Sequence, residues 1–194
     1  MVGIVVVSHS RRLAEGVAEL ATQMTQGKAK LAIAAGIDDP ENPIGTDAIA
    51  VMEAIEQVQD QQGVVVLMDL GSALLSTEMA LDLIDDHVRE NVTLISAPIV
   101  EGTMAASVAA AAGLPLSTVV EEAQNALSVK REHLGDQPLT SAEIAPVSKS
   151  FEQERTFDWV VQNPHGLHAR PAAAIVGALA PFDCQLWLKK ASAV

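Results

Sequence analysis

Cysteine and aromatic residues are scarce in this sequence of 194 residues. It contains one cysteine, Cys184, together with three phenylalanines, two tryptophans and no tyrosine. A single cysteine excludes an intramolecular disulfide and indicates a reducing, cytoplasmic location. The hydrophobic residues are mostly alanine, valine, leucine and isoleucine, which is typical of helices packed on a parallel sheet and unfavourable for an all-β fold.

Positive charge is also sparse. The chain has 12 lysines and arginines against 25 aspartates and glutamates, which gives a net charge of -13. Binding to DNA or RNA requires a concentrated basic surface, so nucleic acid is not expected as a partner.

Three kinds of segment are missing. The short apolar run at the start has no basic region before it, so it does not predict a secretory signal. The uncharged stretch 102–120 is rich in alanine and contains Gly113 and Pro115, which predicts a buried helix and loop instead of a membrane span. Neither G-x-x-x-x-G-K-[ST] nor G-x-G-x-x-G occurs, so we expect this chain to bind no nucleotide or other cofactor.

Short apolar runs alternate with amphipathic segments along the first two thirds of the chain. This alternation predicts an open, doubly wound parallel sheet of about four strands with helices on both faces. The runs predicted as buried strands are Gly3 to Val7, Leu31 to Ala35, Val64 to Met68 and Val92 to Ala97.

Helix signals lie between these runs. Ser10 is a suitable N-cap for the first helix, residues 46–59 form the second with Thr46 as its cap, and the third follows Gly71. A small-residue helix ends before Gly113, and a last helix runs from the capping pair Thr118 and Glu121 to near Gly135. The side chains expected to face the sheet are Leu13, Val17, Leu20, Ala21 and Met24 in the first helix, Ile49, Met52, Ile55 and Val58 in the second, and Leu75, Met79, Leu83 and Ile84 in the third.

The composition predicts two domains. Residues 1–134 form the α/β domain, and residues 135–155 are rich in proline, serine and charge without a core period, as in a linker. Residues 156–194 resume an ordered pattern of strand, turn, helix and strand, and they form a partial α+β domain.

His9 and Asp69 follow the first and third predicted strands, whose carboxyl ends would border one crevice. Neutral imidazole accepts a phosphoryl group, and a carboxylate bonded to one ring nitrogen leaves the other free to attack. Backbone amides after Ser10 and around Gly71, with the Ser72 hydroxyl, are candidates for holding the phosphoryl oxygens. The alternative is that His9 is a solvated loop residue and Asp69 a helix cap.

A second candidate site lies in "NPHGLHARPAA". His168 directly precedes a predicted helix, with Arg170 beside it and Pro171 in the first turn. A helix N-terminus and a guanidinium group would stabilise a phosphorylated imidazole. A metal pair of His165 and His168 is the rival interpretation, but no cysteine, aspartate or glutamate nearby completes a ligand set.

These motifs carry a family resemblance. "VVVSHS", "VVVLMDLGSALLSTEMALD" and "APIVEGT" resemble the mannose-type enzyme IIA family of the bacterial phosphoenolpyruvate:sugar phosphotransferase system (PTS). "NPHGLHARPAA" is similar to the active-site segment of its phosphocarrier protein HPr, of which about the first half is present. The resemblance implies that His9 accepts the phosphoryl group with Asp69 as its partner, and that His168 is phosphorylated with help from Arg170.

The two segments in this order resemble the phosphotransferase subunits of PTS-dependent dihydroxyacetone kinases. That resemblance implies an enzyme subunit that receives phosphoryl groups from enzyme I and HPr through phosphohistidine. Nucleotide-binding and dihydroxyacetone-binding kinase subunits would be its partners, with ADP and ATP held by the former. It also implies a homodimer, for which the alanine-rich helix over Thr103 to Ala112 is suited.

Two alternatives remain at this stage. One is the IIA component of a mannose-type sugar transporter, which would donate to a IIB domain. The other is a regulatory module in which phosphorylation of His9 only changes the affinity for a partner.

Overall fold

The computed structural model describes residues 1–136 and, beyond them, Ile175, Ala178, Leu179, Pro181 and Phe182. The chain divides into two compact units, Met1–Glu143 and Ile144–Val194. His165, His168 and Arg170 lie outside the described residues, as do most of the predicted linker and nearly all of the HPr-like segment. The fold of the first unit is the one that positions His9.

A four-stranded parallel sheet forms the centre of the first unit. Its strands are β1 (Gly3–Ser8), β2 (Lys30–Ala35), β3 (Val64–Met68) and β4 (Val92–Ile95), in the order β2-β1-β3-β4. The predicted open parallel α/β fold is confirmed. The fourth strand ends two residues earlier than Ala97, the predicted end.

Seven helices occur in residues 1–136: α1 (Arg11–Thr25), α2 (Ala48–Val58), α3 (Gly71–Leu83), α4 (Asp86–Arg89), α5 (Ile99–Ala111), α6 (Leu116–Gln124) and α7 (Ser128–Leu134). Ser10 caps α1 as predicted, but the cap of α2 is Asp47 instead of Thr46. The predicted last helix is two helices, α6 and α7, and Thr118 lies inside α6. Within the described part of the chain, the helices are all too short or too polar to cross a bilayer.

The sheet is covered on both faces. Val5 and Val7 of β1 pack in a cluster with α2 and α3 residues, such as Ile55 and Ala80. The alternate residues Ile4 and Val6 point to the other face, where the clusters include residues of α1, α5 and α6. Because successive strand side chains point to opposite faces, a run of buried valines is what two helical layers require.

The predicted inward stripes of three helices are partly wrong. Val17, Ala21, Ile55 and Val58 are buried as predicted, whereas most of the larger side chains predicted to be inside are 42–60% exposed. Short side chains occupy the sheet-facing positions, which lets the helices approach the valine-covered sheet closely. The exposed residues are Leu13, Leu20, Met24, Ile49, Leu75, Met79 and Leu83, and the residues buried instead are Ala14, Thr25, Val51, Ala54, Ala73, Thr77 and Ala80.

Candidate active site

Neighbouring strands bring His9 and Asp69 together. His9 directly follows β1 and Asp69 directly follows β3, and the register pairs Val7 with Met68. The backbone N–H of Asp69 donates to the Val7 carbonyl at 3.2 Å, which extends the ladder to the site. Nδ1 of His9 lies 2.8 Å from Oδ1 of Asp69. The juxtaposition expected from the strand order is therefore present.

The Asp69 carboxylate receives four hydrogen bonds. Oδ1 accepts from the His9 ring at 2.8 Å and from the Leu70 backbone N–H at 2.7 Å. Oδ2 accepts from the His9 backbone N–H at 2.9 Å and from the Ser8 hydroxyl at 2.8 Å. Burial alone would raise the pKa of this carboxyl, but the four hydrogen bonds outweigh it and hold the pKa below its ordinary value. The carboxylate is therefore ionised and fixed in orientation.

The second ring nitrogen of His9 contacts Ser72. Nε2 lies 2.6 Å from the Ser72 hydroxyl, which projects from the first turn of α3. An ionised carboxylate can only accept hydrogen bonds, so Nδ1 carries the ring proton of the neutral imidazole and Nε2 accepts from Ser72. The side chains of His9 and Asp69 are only 17% and 12% exposed. Nε2 is thus the nitrogen whose lone pair is available for attack.

The start of α3 borders this nitrogen. Its first residue is Gly71, and Leu70 before it makes no side-chain capping bond. The first amides of a helix have no intrahelical acceptor and favour anions. A Cβ placed on Gly71 would meet no atom within 4 Å, so the space above this backbone is open. Gly71 and Ser72 therefore border one side of the approach to Nε2.

Ser10 lies at the site but is already engaged within the protein. Its hydroxyl accepts from the Leu13 N–H at 3.3 Å as the cap of α1, and its own N–H donates to the Ser8 hydroxyl at 3.1 Å. Among the residues expected to hold phosphoryl oxygens, Ser10 thus differs from Ser72, whose hydroxyl touches the reactive nitrogen.

Two site residues were missed by sequence reasoning. Ser8 is fully buried and bonds Asp69, and the Gly45 N–H donates to the His9 carbonyl at 3.1 Å. The signal for Ser8 was present, since it is a polar residue ending an otherwise apolar strand. Nothing in the sequence signals Gly45, because its contact depends on the path of the loop between β2 and α2.

Two family models match the chain. Residues 3–120 match the model of the family described as PTS system fructose IIA component, and residues 155–194 match that described as PTS HPr component phosphorylation site. Both candidate phosphoryl-accepting residues, His9 and His168, lie within matched segments. A solved structure titled "Crystal structure of unknown function protein EF1359" is similar with a TM-score of 0.55 and 29% identity, covering 64% of this chain and 93% of that one.

Curated relatives carry the name DhaM. The phosphoryl donor subunits DhaM of PEP-dependent dihydroxyacetone kinase from Klebsiella michiganensis and Escherichia coli are 55% and 50% identical over 98% of this chain. The chain spans about two fifths of the length of these proteins, 41% and 40%. A shorter DhaM of kinase 2 from Listeria innocua is 32% identical over 64% of this chain and 98% of its own length. The chain therefore belongs to the family of PTS system fructose IIA components, and its relatives there are DhaM subunits.

Proposed function

We propose that this chain is the phosphoryl donor part of a PEP-dependent dihydroxyacetone kinase. In this proposal His9 accepts a phosphoryl group from phosphorylated HPr, which enzyme I has charged. His9 then transfers the group to ADP held by the nucleotide-binding kinase subunit, and the ATP formed there phosphorylates dihydroxyacetone. The reaction would take place in the cytoplasm, in keeping with the single cysteine.

One observation carries the proposal: His9 is held between a carboxylate and a hydroxyl. Asp69 fixes Nδ1 at 2.8 Å, and Ser72 meets Nε2 at 2.6 Å. A fixed imidazole with one unprotonated nitrogen is the arrangement that nucleophilic phosphoryl transfer requires.

The chemical step follows from this geometry. The lone pair of His9 Nε2 forms a bond to phosphorus as the bond to the donor's histidine nitrogen breaks, and the donor ring keeps the released electron pair. Nδ1 retains its proton, so the phosphorylated His9 ring is positively charged. The ionised Asp69 lies against that charge, and the Ser72 hydroxyl turns to a phosphoryl oxygen. Transfer to ADP reverses the roles, because a terminal phosphate oxygen of ADP then attacks phosphorus and Nε2 leaves.

The same proposal divides the chain. Residues 1–134 act as the IIA-like domain, residues 135–155 as a linker and residues 156–194 as part of an HPr-like domain. His168 would be phosphorylated there, with Arg170 beside it. This rests on the matched HPr segment over residues 155–194.

We further propose a homodimer through α5. An apolar groove is lined by Met24 of α1 and by Met104 and Val108 of α5. Met24 and Val108 are 60% and 45% exposed, which favours an apolar partner surface. A second copy of the chain would bury them. We expect Val108→Glu to yield monomers in analytical ultracentrifugation where the wild type sediments as a dimer, and a monomeric wild type would contradict this part of the proposal.

Phosphoryl transfer itself tests the main proposal. Radiolabelled phosphoenolpyruvate, enzyme I and HPr are incubated with the wild type, with His9→Ala and with His168→Ala. We expect the IIA-like domain of the wild type to carry acid-labile label, and we expect that domain of His9→Ala to carry none. When the ADP-loaded kinase subunit is added, the label should leave the wild-type domain.

Other outcomes distinguish the alternatives. Label on His9 that is not transferred to the ADP-loaded subunit but is transferred to a IIB domain would indicate a sugar transporter component. Label that persists with either acceptor would indicate a regulatory module. Absence of label from His9 in the wild type would refute the proposed function.

A further inference from the structure

We propose that Ser8, a residue with no assigned role, is a positioning residue whose hydroxyl locks the Asp69 carboxylate in the orientation that holds His9 ready to react. The inference rests on the proposed function for its kinetic readout. Its structural content, the orientation and tautomer of the His9 ring, is measurable without any phosphoryl transfer.

Ser8 is placed to act on Asp69 and on nothing outside the protein. It is the last residue of β1 and is fully buried. Its Oγ lies 2.8 Å from Asp69 Oδ2 and 3.3 Å from the Ser10 carbonyl. The single hydroxyl proton therefore goes to the nearer and charged acceptor, Asp69. A buried side chain cannot contact a partner, so any effect of Ser8 on transfer must pass through the groups that it bonds, Asp69 and Ser10.

The other bond of Ser8 fixes the hydroxyl. The Ser10 N–H donates to Ser8 Oγ at 3.1 Å, and Ser10 in turn begins α1 as its cap. The Ser8 hydroxyl is thus a donor to Asp69 and an acceptor from Ser10, which leaves it little rotational freedom. The strand end, the start of α1 and the carboxylate are tied together at one oxygen atom.

The Ser8 hydroxyl helps to hold the plane of the Asp69 carboxylate in one orientation. Oδ1 accepts from the His9 ring and the Leu70 backbone N–H, and Oδ2 accepts from the Ser8 hydroxyl and the His9 backbone N–H. Without the hydroxyl, Oδ2 keeps one of its two donors and Oδ1 keeps both of its own, so the carboxylate is held less firmly against rotation about its Cβ–Cγ bond. Rotation lengthens the bond to Nδ1, so the ring proton is less strictly confined to Nδ1 and Nε2 is less often unprotonated. Groups that orient metal-ligating histidines in this way contribute about 10- to 100-fold, and we expect an effect of the same order for His9.

Three substitutions test the hydroxyl. Ser8→Thr and Ser8→Val add nearly the same volume to the buried strand end, but only threonine keeps the hydroxyl. Ser8→Ala removes the hydroxyl without adding volume, so the test survives if the larger pair fails to fold. All are made in the 194-residue chain. The initial rate of phosphorylation by phosphorylated HPr is measured over a range of HPr concentrations, and nitrogen-15 NMR of the imidazole measures the fraction of His9 with its proton on Nδ1.

We expect Ser8→Ala and Ser8→Val to lower kcat about tenfold with KM for phosphorylated HPr within twofold of wild type, and to mix the two His9 tautomers. Ser8→Thr should restore both readouts. The proposal would be overturned if Ser8→Ala had the same kcat as the wild type, or if Ser8→Thr and Ser8→Val lost kcat equally. It would also be overturned if only KM changed. If the wild type accepts no phosphoryl group, the proposed function fails, whereas an unchanged tautomer in Ser8→Ala refutes the role of Ser8.

Discussion

Two aspartates stand at opposite ends of the same sheet, and both have lowered pKa values. Asp60 lies at the amino end, where the Lys30 ammonium is 2.8 Å from one oxygen and the N-terminal ammonium of Met1 is 3.3 Å from the other. Hydrogen bonding from Lys30 is the main cause that lowers the pKa of Asp60 to about 2. Asp69 lies at the carboxyl end and is stabilised by neutral N–H and O–H donors.

The two carboxylates differ in whether a positive group lies next to the negative charge. The charge of Asp60 faces two ammonium groups, those of Lys30 and Met1, at a partly exposed edge, so that cluster joins chain segments. The charge of Asp69 is oriented but not neutralised, so it remains available to the His9 ring, which the proposed phosphorylation would make positive. A lowered pKa therefore arises from a structural ion pair at one end and from neutral hydrogen-bond donors around the candidate site at the other.

Replacing each aspartate with asparagine should give the largest difference in phosphorylation rate between the two ends of the sheet. Asp69→Asn keeps the shape but replaces an acceptor that fixes the His9 tautomer, and we expect the phosphorylation rate to fall about 100- to 1,000-fold. Asp60→Asn should leave the rate within twofold of wild type. Single-turnover transfer from phosphorylated HPr measures both, and equal losses in the two variants would remove the distinction.

Removing the Ser72 hydroxyl tests the reactive side of the ring. Ser72→Ala should slow phosphorylation about 10- to 100-fold, because the donor at 2.6 Å from Nε2 is lost where phosphoryl oxygens acquire charge. Ser76→Ala, one turn later on α3, removes a hydroxyl that bonds Thr46 at 2.8 Å and is the matched control. A rate in Ser72→Ala no lower than in Ser76→Ala would show that Ser72 only packs.

Substitutions at the amino end of the sheet should change the free energy of unfolding and leave the phosphorylation rate unchanged. A Cβ on Gly3 would overlap the Val58 carbonyl oxygen and lie 2.9 Å from Val58 Cγ2. Gly3→Ala should therefore lower the free energy of unfolding by about 1–3 kcal/mol, with unchanged phosphorylation of the folded protein. Gly16→Ala on α1 meets no atom within 4 Å and should stabilise the helix. Denaturant titration compares the two, and a similar sign for both would contradict the packing argument.

The smallest expected effect is the acid dependence of the Asp60 cluster. Because folding lowers the pKa of Asp60 from 3.8 to about 2, its stabilising contribution is complete above pH 4 and is lost as pH falls through 2. Lys30→Met should raise that pKa and flatten this part of the stability curve, while the rate of His9 phosphorylation at neutral pH stays the same. An unchanged acid slope would show that the exposed pair contributes nothing measurable.

The sequence was sufficient to predict the sheet and the pairing of His9 with Asp69. Four runs of β-branched residues predict buried strands, and the common order of parallel strands places the ends of the first and third side by side. Both predictions depend on local composition, which a single sequence shows, and on the general handedness of the connections between parallel strands. The role of His168 stays a prediction, because its segment lies outside the described residues.

The orientation of the helices was harder to predict. We expected Leu75 and Met79 to face the sheet because large apolar side chains usually do, whereas Ala73 and Ala80 occupy those positions. In a helix whose residues are apolar on most sides, hydrophobicity does not identify the inner face. Close packing against valines selects the small residues, and that selection depends on the distance between helix and sheet, which the sequence does not state.

The loop between β2 and α2 has a practical consequence for reporter probes. Gly45 bonds the backbone of His9, so substitution or insertion there would move His9. Four residues earlier, exposed Glu41 belongs to a local turn in which its N–H and that of Asn42 donate to Asp39 Oδ1. A fluorophore attached at Glu41 would lie on the loop that contacts His9, four residues away from the contact itself. Its emission would then report the arrival and departure of the proposed phosphoryl donor and acceptor.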